Sequence, residues 1–520
     1  MIPEKVNPAA LQPIIYVRGY AMTRGDIDET TADPFCGFNL GSTVFRATAD
    51  RKSPPRKFVF ESPLVRLTSD FGYSDVYTDG HDIVDPDWDR ASITRQSLII
   101  YRYYDSASTL LGDGTTPKIE EFAKGLSRLI ARVRDLVCKD DPDSFRCYLV
   151  AHSMGGLVCR TFLQNEKCDE AGSRRYVDKF FTYATPHNGI DMAGLNVPEW
   201  LETNDIYNFS REHMAEYLNV QDLYKQTGRV DWLPAHVPLS PEKFFCLIGT
   251  NRSDYEVAKG LSRTFAGDGS DGLVRIENAW LCGAGADAKP IPTAKAFVYR
   301  SHSGYFGIVN SEESYQNLTR FLFGDVRVDI WLDIKDIRLP EAVAAKEKAG
   351  QEVNALYQFE VLASPRGKLW YLTRRIAEED SVACLPYKNW KSSSSLYVST
   401  VFLALRAQVT GKSSLAYSMT LGVRVPDYEV DRKLWINEHY EGGYLFRDSV
   451  IIEIFPPGQD GGDWNIECEW QSQKGHVIST TVPTAGLNNS RFTVPLAFGS
   501  ATTTPGINGE LRFIVSRWNS

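Results

Sequence analysis

The chain has 520 residues, with 57 Lys plus Arg against 66 Asp plus Glu and a formal net charge of -9. At about 150 residues per domain this length predicts two or more domains, and 43% hydrophobic with 24% charged residues exclude a disordered chain as the main state. The acidic balance excludes nucleic acid as the primary partner, because phosphate-backbone binding needs a concentrated positive surface.

Up to about residue 325, short β-branched runs alternate with helical patterns, the layout of a mostly parallel sheet covered by helices. The first run, 13–17, leads into Arg18-Gly19-Tyr20. An Asp-rich stretch follows, with His81 beside Asp82 and with Asp79, Asp85, Asp87 and Asp89 around it. It reads as a solvated acidic loop, with half of a metal site as the rarer alternative. After the run 97–103, Ile119, Phe122, Ala123, Leu126, Leu129, Ile130, Val133, Leu136 and Val137 recur at three- and four-residue steps, which predicts an amphipathic helix lying on the sheet. Pro142 ends it before the run 147–151.

The run 179–184 continues into Ala184-Thr185-Pro186-His187-Asn188-Gly189. The sheet pattern then pauses over 190–241, which carries six aromatic residues (Trp200, Tyr207, Phe209, Tyr217, Tyr224 and Trp232) among several Leu. An aromatic insertion at the carboxyl end of a strand is expected to form a lid over the crevice where open α/β sheets bind ligands. A helical cap that only packs on the core is the competing reading. The runs 244–249 and 296–299 and a helix at 312–323 close this half. Beyond residue 325, long alternating strands (395–409, 414–425, 444–455, 491–498, 510–518), separated by Gly, Asn, Pro and Ser clusters, predict an all-β sandwich or barrel. The expected domains are thus 1–325 and 326–520.

Ala151-His152-Ser153-Met154-Gly155 is a variant of the G-x-S-x-G nucleophile elbow. Such a string alone is weak evidence, expected by chance about 0.4 times in a chain this long. Its context adds weight: an apolar run precedes it and a helical pattern follows (Leu157, Val158, Thr161, Phe162), so Ser153 falls on a strand-to-helix turn that lifts its hydroxyl above the sheet. The plain alternative is an ordinary Ser helix cap. In this architecture the loop Val17-Arg18-Gly19-Tyr20 and the residue after the nucleophile supply the backbone N–H groups of an oxyanion hole, which makes Tyr20 and Met154 the expected donors. A simple strand-end turn is the competing reading of that loop.

The segment Gly267-Asp268-Gly269-Ser270-Asp271-Gly272-Leu273-Val274 offers a carboxylate on a late loop, as a triad needs. Asp271 is favoured because apolar Leu273 and Val274 follow it; Asp268 is the alternative acid. The spacing does not match a twelve-residue calcium loop. Arg300-Ser301-His302-Ser303-Gly304 then places His302 after the last strand of this half and completes the order Ser153, Asp271, His302. His152 is a poor base because it adjoins the nucleophile covalently, and His187 reads as a structural hydrogen-bonding residue.

Together, residues 13–325 resemble the α/β-hydrolase lipases: bacterial triacylglycerol lipases and the lecithin-cholesterol acyltransferase and GPI inositol-deacylase relatives. The shared strings are the strand-end R-G-Y, A-H-S-M-G-G, A-T-P-H-N-G, S-D-G-L-V and S-H-S-G. The resemblance implies Ser153 as nucleophile, Asp271 as acid, His302 as base, and Tyr20 with Met154 as oxyanion donors; the sequence has no counterpart of the zinc- or calcium-site strings that some lipase groups carry, so no metal and no cofactor are expected. Arg18 stands where those lipases usually have His. The last 195 residues resemble no family that can be named. The expected function is hydrolysis of carboxylic, lipid-like esters through an acyl-enzyme. The alternatives are a phospholipase acting on membranes as toxin or defence effector, an acyltransferase using the same triad, and a non-catalytic scaffold with a vestigial triad.

No run approaches the roughly 20 apolar residues that span a bilayer, and the start, Met1-Ile-Pro-Glu-Lys, lacks a signal layout. A cytoplasmic protein is therefore expected, with signal-independent export left open. The nine cysteines form no C-x-x-C pair, which favours packed thiols over bridges. Residues 1–325 carry 36 basic and 44 acidic side chains and 326–520 carry 21 and 22. Peripheral membrane contact would therefore come from apolar surface or from the near-neutral second half.

Overall fold

In a computed structural model the described residues are 6–19, 42–46, 56–60, 63–78, 81–103, 117–192, 195–196, 208–252, 269–285, 290–303, 307–408, 412–431, 438–457, 462–483 and 491–519. The chain divides into two units, one of residues 1–295 with 299–323 and one of 324–520 with 296–298.

The first unit is α/β. Its sheet has seven strands: β1 (Ile14–Val17), β2 (Ser74–Asp75), β3 (Ser97–Ile100), β4 (Cys147–His152), β5 (Val177–Tyr183), β6 (Phe244–Gly249) and β7 (Ala294–Val298), in the order β7-β6-β5-β4-β1-β3-β2. From β6 to β2 every neighbouring pair is parallel. Parallel strands are covered on both faces, so they read as unbroken apolar runs, and every residue of β1, β3, β4 and β6 is buried.

The helix α1 (Ile119–Val137) buries the predicted stripe from Ile119 to Leu136. Glu120 and Glu121 in its first turn and Arg134 in its last oppose the helix dipole favourably. Helix α2 (Gly155–Gln164) follows β4 directly, and Pro142–Ser144 form a short 3-10 turn before that strand.

Residues 193–194 and 197–207 of the expected lid lie outside the described residues. In its described remainder, apolar side chains turn inward. In α3 (Arg211–Tyr217) and the segment after it, Met214, Ala215, Tyr217, Leu218, Val220 and Val230 join the main hydrophobic core. Polar bonds fasten them there: Gln164 Nε2 donates to Leu218 O at 3.1 Å and Arg160 Nη2 to Val230 O at 2.8 Å. This part packs on the core, mostly through aliphatic side chains and Tyr217, as the competing reading has it. A last helix, α4 (Glu312–Phe323), lies where the sequence places it.

The second unit consists of antiparallel sheets. Its strands are β8 (Val326–Arg338), β9 (Val353–Pro365), β10 (Thr373–Arg375), β11 (Ala383–Pro386), β12 (Ser395–Leu403), β13 (Leu415–Val430), β14 (Glu438–Phe455), β15 (Trp464–Trp470), β16 (Ile478–Val482), β17 (Phe492–Gly499) and β18 (Gly506–Arg517). One sheet runs β12-β8-β18-β17; the other runs β10-β9-β13-β14-β15-β16, with β11 also on β9. Burial alternates along β15 and along the first half of β13, as in a strand with one face inward. The inward faces of both sheets share one core, from Val328 and Ile330 to Leu421 and Val450.

Among the described residues no helix is long and apolar enough to cross a membrane. Cys138, Cys147, Cys159, Cys168, Cys246 and Cys468 are buried free thiols, whereas Cys384 is exposed.

Candidate active site

Strand ends of the first unit bring three of the predicted residues together. Ser153 sits between β4 and α2 with φ +53°, a left-handed conformation that costs a non-glycine residue on the order of 1–3 kcal/mol and persists only where surroundings enforce it. Two close approaches enforce it. A Cβ on Gly19 would lie 2.3 Å from Ser153 Cβ, and one on Gly155 would lie 2.1 Å from Val17 O. The end of β1 therefore presses against the elbow and only hydrogen fits at both positions. The small residues of the elbow string thus have a steric reason.

His302 Nε2 lies 2.9 Å from Ser153 Oγ, and its Nδ1 lies 2.9 Å from Asp271 Oδ2. A carboxylate only accepts, so Nδ1 carries the ring hydrogen of neutral His302 and Nε2 presents a lone pair to the hydroxyl. The second carboxylate oxygen, Asp271 Oδ1, accepts from the Leu273 and Val274 N–H groups at 3.0 and 2.8 Å. His302 N also donates to Asp271 O at 3.0 Å. The acid is thus held by its own turn as well as by its partner, and the three side chains are almost wholly withdrawn from solvent. Met154, buried at the start of α2, has its backbone N–H bonded to no acceptor among the described residues. Tyr20 and Asp268 lie outside the described residues.

His152 has a part that the sequence did not signal. Its Nε2 is 2.9 Å from the backbone oxygen of His302. A carbonyl only accepts, so this nitrogen carries the hydrogen and His152 tethers the loop that bears His302. Burial first, then the neighbouring His302 and Arg18, push the His152 pKa well below its usual range, which keeps the ring neutral. No local signal marks a contact between residues 150 positions apart.

His187 is fully buried, with Nε2 3.2 Å from Thr182 Oγ1; burial lowers its pKa well below the usual value. Arg160 is likewise fully buried. Its guanidinium donates to His187 O, Val230 O, Trp232 O and Gln164 Oε1, tying the segment after β5 to the packed cap. Burial lowers its pKa to about 10, so it stays charged at neutral pH. Among the described residues no group of three or more His, Cys, Asp or Glu is arranged to hold a metal ion. His81 pairs instead through its backbone with Thr78.

No protein-family model matches the chain, and no curated protein matches it. Among solved structures it is similar to the Bacillus licheniformis lipase BlEst2 in mature form, at 16% identity over 62% of this chain and 95% of that one, with a TM-score of 0.29. It is also similar to phospholipase PlaB from Legionella pneumophila, at 12% identity over 82% of this chain and 90% of that one, with a TM-score of 0.30. The same phospholipase in complex with thio-NAD gives 12% identity, 83% and 89% coverage and a TM-score of 0.32.

Proposed function

We propose that the chain is a serine hydrolase of carboxylic esters, with Ser153 as nucleophile, His302 as general base and Asp271 as the orienting acid. The observation that carries this reading is the pair of 2.9 Å contacts on the two nitrogens of one imidazole, Ser153 Oγ on one side and Asp271 Oδ2 on the other. A hydroxyl becomes a nucleophile at neutral pH only when such a base can take its proton.

In the first step Ser153 Oγ attacks the ester carbonyl while its proton passes to His302 Nε2. The imidazolium so formed is stabilised by Asp271. The Met154 N–H, at the positive end of α2, donates to the developing oxyanion; the Tyr20 N–H is assigned as second donor from the sequence alone. His302 returns its proton to the leaving alcohol, and water activated by the same base clears the acyl-enzyme. The strings shared with lipases extend the substrate class to lipid-like esters.

Ser153→Ala is expected to abolish turnover of a short p-nitrophenyl ester with the circular dichroism spectrum unchanged; retained activity would sink the assignment. Comparing the rates of Asp271→Asn and Asp268→Asn decides between the two carboxylates.

A further inference from the structure

The loop that carries Asp271 is closed at its base. Ile276 N donates to Gly269 O at 2.9 Å, and Ser270 pairs with Arg275 as an isolated antiparallel bridge. The chain leaves this closure through the 3-10 turn Ile276–Asn278, so whatever holds Asn278 also holds the base of the loop. What holds it lies in Ala184-Thr185-Pro186-His187-Asn188-Gly189, a string in which the triad has no member. Asn188 and Asn278 are each 1% exposed and meet twice. Asn188 N donates to Asn278 O at 3.0 Å, and Asn188 Nδ2 donates to Asn278 Oδ1 at 3.0 Å.

The direction of these bonds is fixed at both ends. A backbone N–H only donates, so the Val230 N–H, 2.9 Å away, claims Asn188 Oδ1. That leaves the Asn188 amide nitrogen for Asn278. A carboxylate only accepts, so Asp191 Oδ2, 2.8 Å away, claims Asn278 Nδ2 and leaves Asn278 Oδ1 for Asn188. Arg211 Nη2 donates to the other oxygen of Asp191 at 2.8 Å, so this buried carboxylate is itself paired. Turning either amide over would set donor against donor or acceptor against acceptor on both of its sides, and buried polar groups left so are costly.

We propose that Asn278 is a positioning residue for the reaction: held by Asn188 and Asp191, it fixes the base of the loop and so the aim of Asp271 at His302. This rests on the reading of Ser153, His302 and Asp271 as a triad. The Leu273 and Val274 N–H groups hold the carboxylate within its turn; the Asn188–Asn278 pair holds that turn against the end of β5. Asp271 Oδ2 has to stay 2.9 Å from His302 Nδ1, and a misplacement of about 1 Å can cost on the order of 10²-fold in rate.

The test uses the full-length chain and steady-state hydrolysis of a p-nitrophenyl ester. Asn278→Ala is expected to lower kcat about 10²-fold with KM nearly unchanged, because a side chain this buried takes no substrate contact with it. In the Asp271→Asn background the same substitution is expected to change the rate less than about twofold, since no acid is left to aim. A merely structural role would lower both backgrounds by the same factor. Asn188→Asp keeps an acceptor for the Val230 N–H and exchanges only the donor that faces Asn278. It is expected to reproduce the kcat loss and decides the matter where Asn278→Ala does not fold. Wild-type kcat in either folded variant, equal losses with and without Asp271, or a rise in KM alone would each overturn the proposal. Failure of a fluorophosphonate to label Ser153 in the unmutated chain would overturn the triad itself, which is a separate failure.

Discussion

The two units bury their strands differently. In β4 all six residues are buried, whereas in β15 buried and half-buried positions alternate. Helices cover both faces of a parallel sheet, while each sheet of a sandwich has one face inward. The first arrangement leaves the strand ends as the place for chemistry, because only the turns there carry polar side chains clear of the packed layers. The second keeps its apolar side chains inside, in one core shared by both sheets.

The comparison breaks most sharply at the acid. Asp271→Asn keeps an oxygen for the Leu273 and Val274 N–H groups, so the loop is expected to stand. The amide nevertheless turns a donor toward His302 and favours the wrong imidazole tautomer. Steady-state ester hydrolysis is expected to fall by about 10⁴-fold with thermal unfolding little changed.

The sandwich should respond in the opposite way, through stability alone. Leu421→Ala removes a fully buried core side chain and is expected to cost about 2–5 kcal/mol. Thr420→Ala next to it loses only the half-buried hydroxyl contact with Ser449, worth about 0.5–1.5 kcal/mol. Denaturant unfolding of the two variants checks the alternation; equal losses would contradict it.

Gly19→Ala probes the pressure on the elbow. The added methyl would meet Ser153 Cβ at 2.3 Å, and displacing the nucleophile is expected to lower kcat by on the order of 10²-fold while leaving the second unit intact.

The smallest effect is on pH dependence. His152 and His187 are buried with their pKa values pushed down, burial being the largest cause for each. They bind protons more readily when unfolded, so their contribution is full above the unfolded histidine pKa of about 6.5 and is lost as pH falls below it. His439 and His476 in the second unit are exposed. Hydrogen exchange between pH 7.5 and 5.5 is therefore expected to loosen the first unit before the second; the reverse order would contradict the burial argument.

Sequence legibility followed the range of the interactions. The helices Ile119–Val137 and Glu312–Phe323 and the strand Phe244–Gly249 declare themselves because their apolar residues are local and periodic. Ser153, Asp271 and His302 are legible because each sits on a turn whose small or polar neighbours are also local. The tether from His152 to His302 and the four partners of Arg160 are long-range contacts that no window of sequence encodes. The cap shows a different limit. Met214, Tyr217 and Leu218 are apolar whether they face a ligand or the core, and only their packing, with Gln164 and Arg160 as fasteners, separates the two. The helix Glu341–Lys348 is set among the strands of the second unit, where the alternating pattern around it hides so short an element.

The most direct test of the account is labelling of the full chain with a fluorophosphonate probe, followed by peptide mapping. Stoichiometric modification at Ser153, abolished in His302→Ala, is the result expected of a nucleophile activated by the His302 imidazole. A chain that stays unlabelled at Ser153 while fully folded would contradict it.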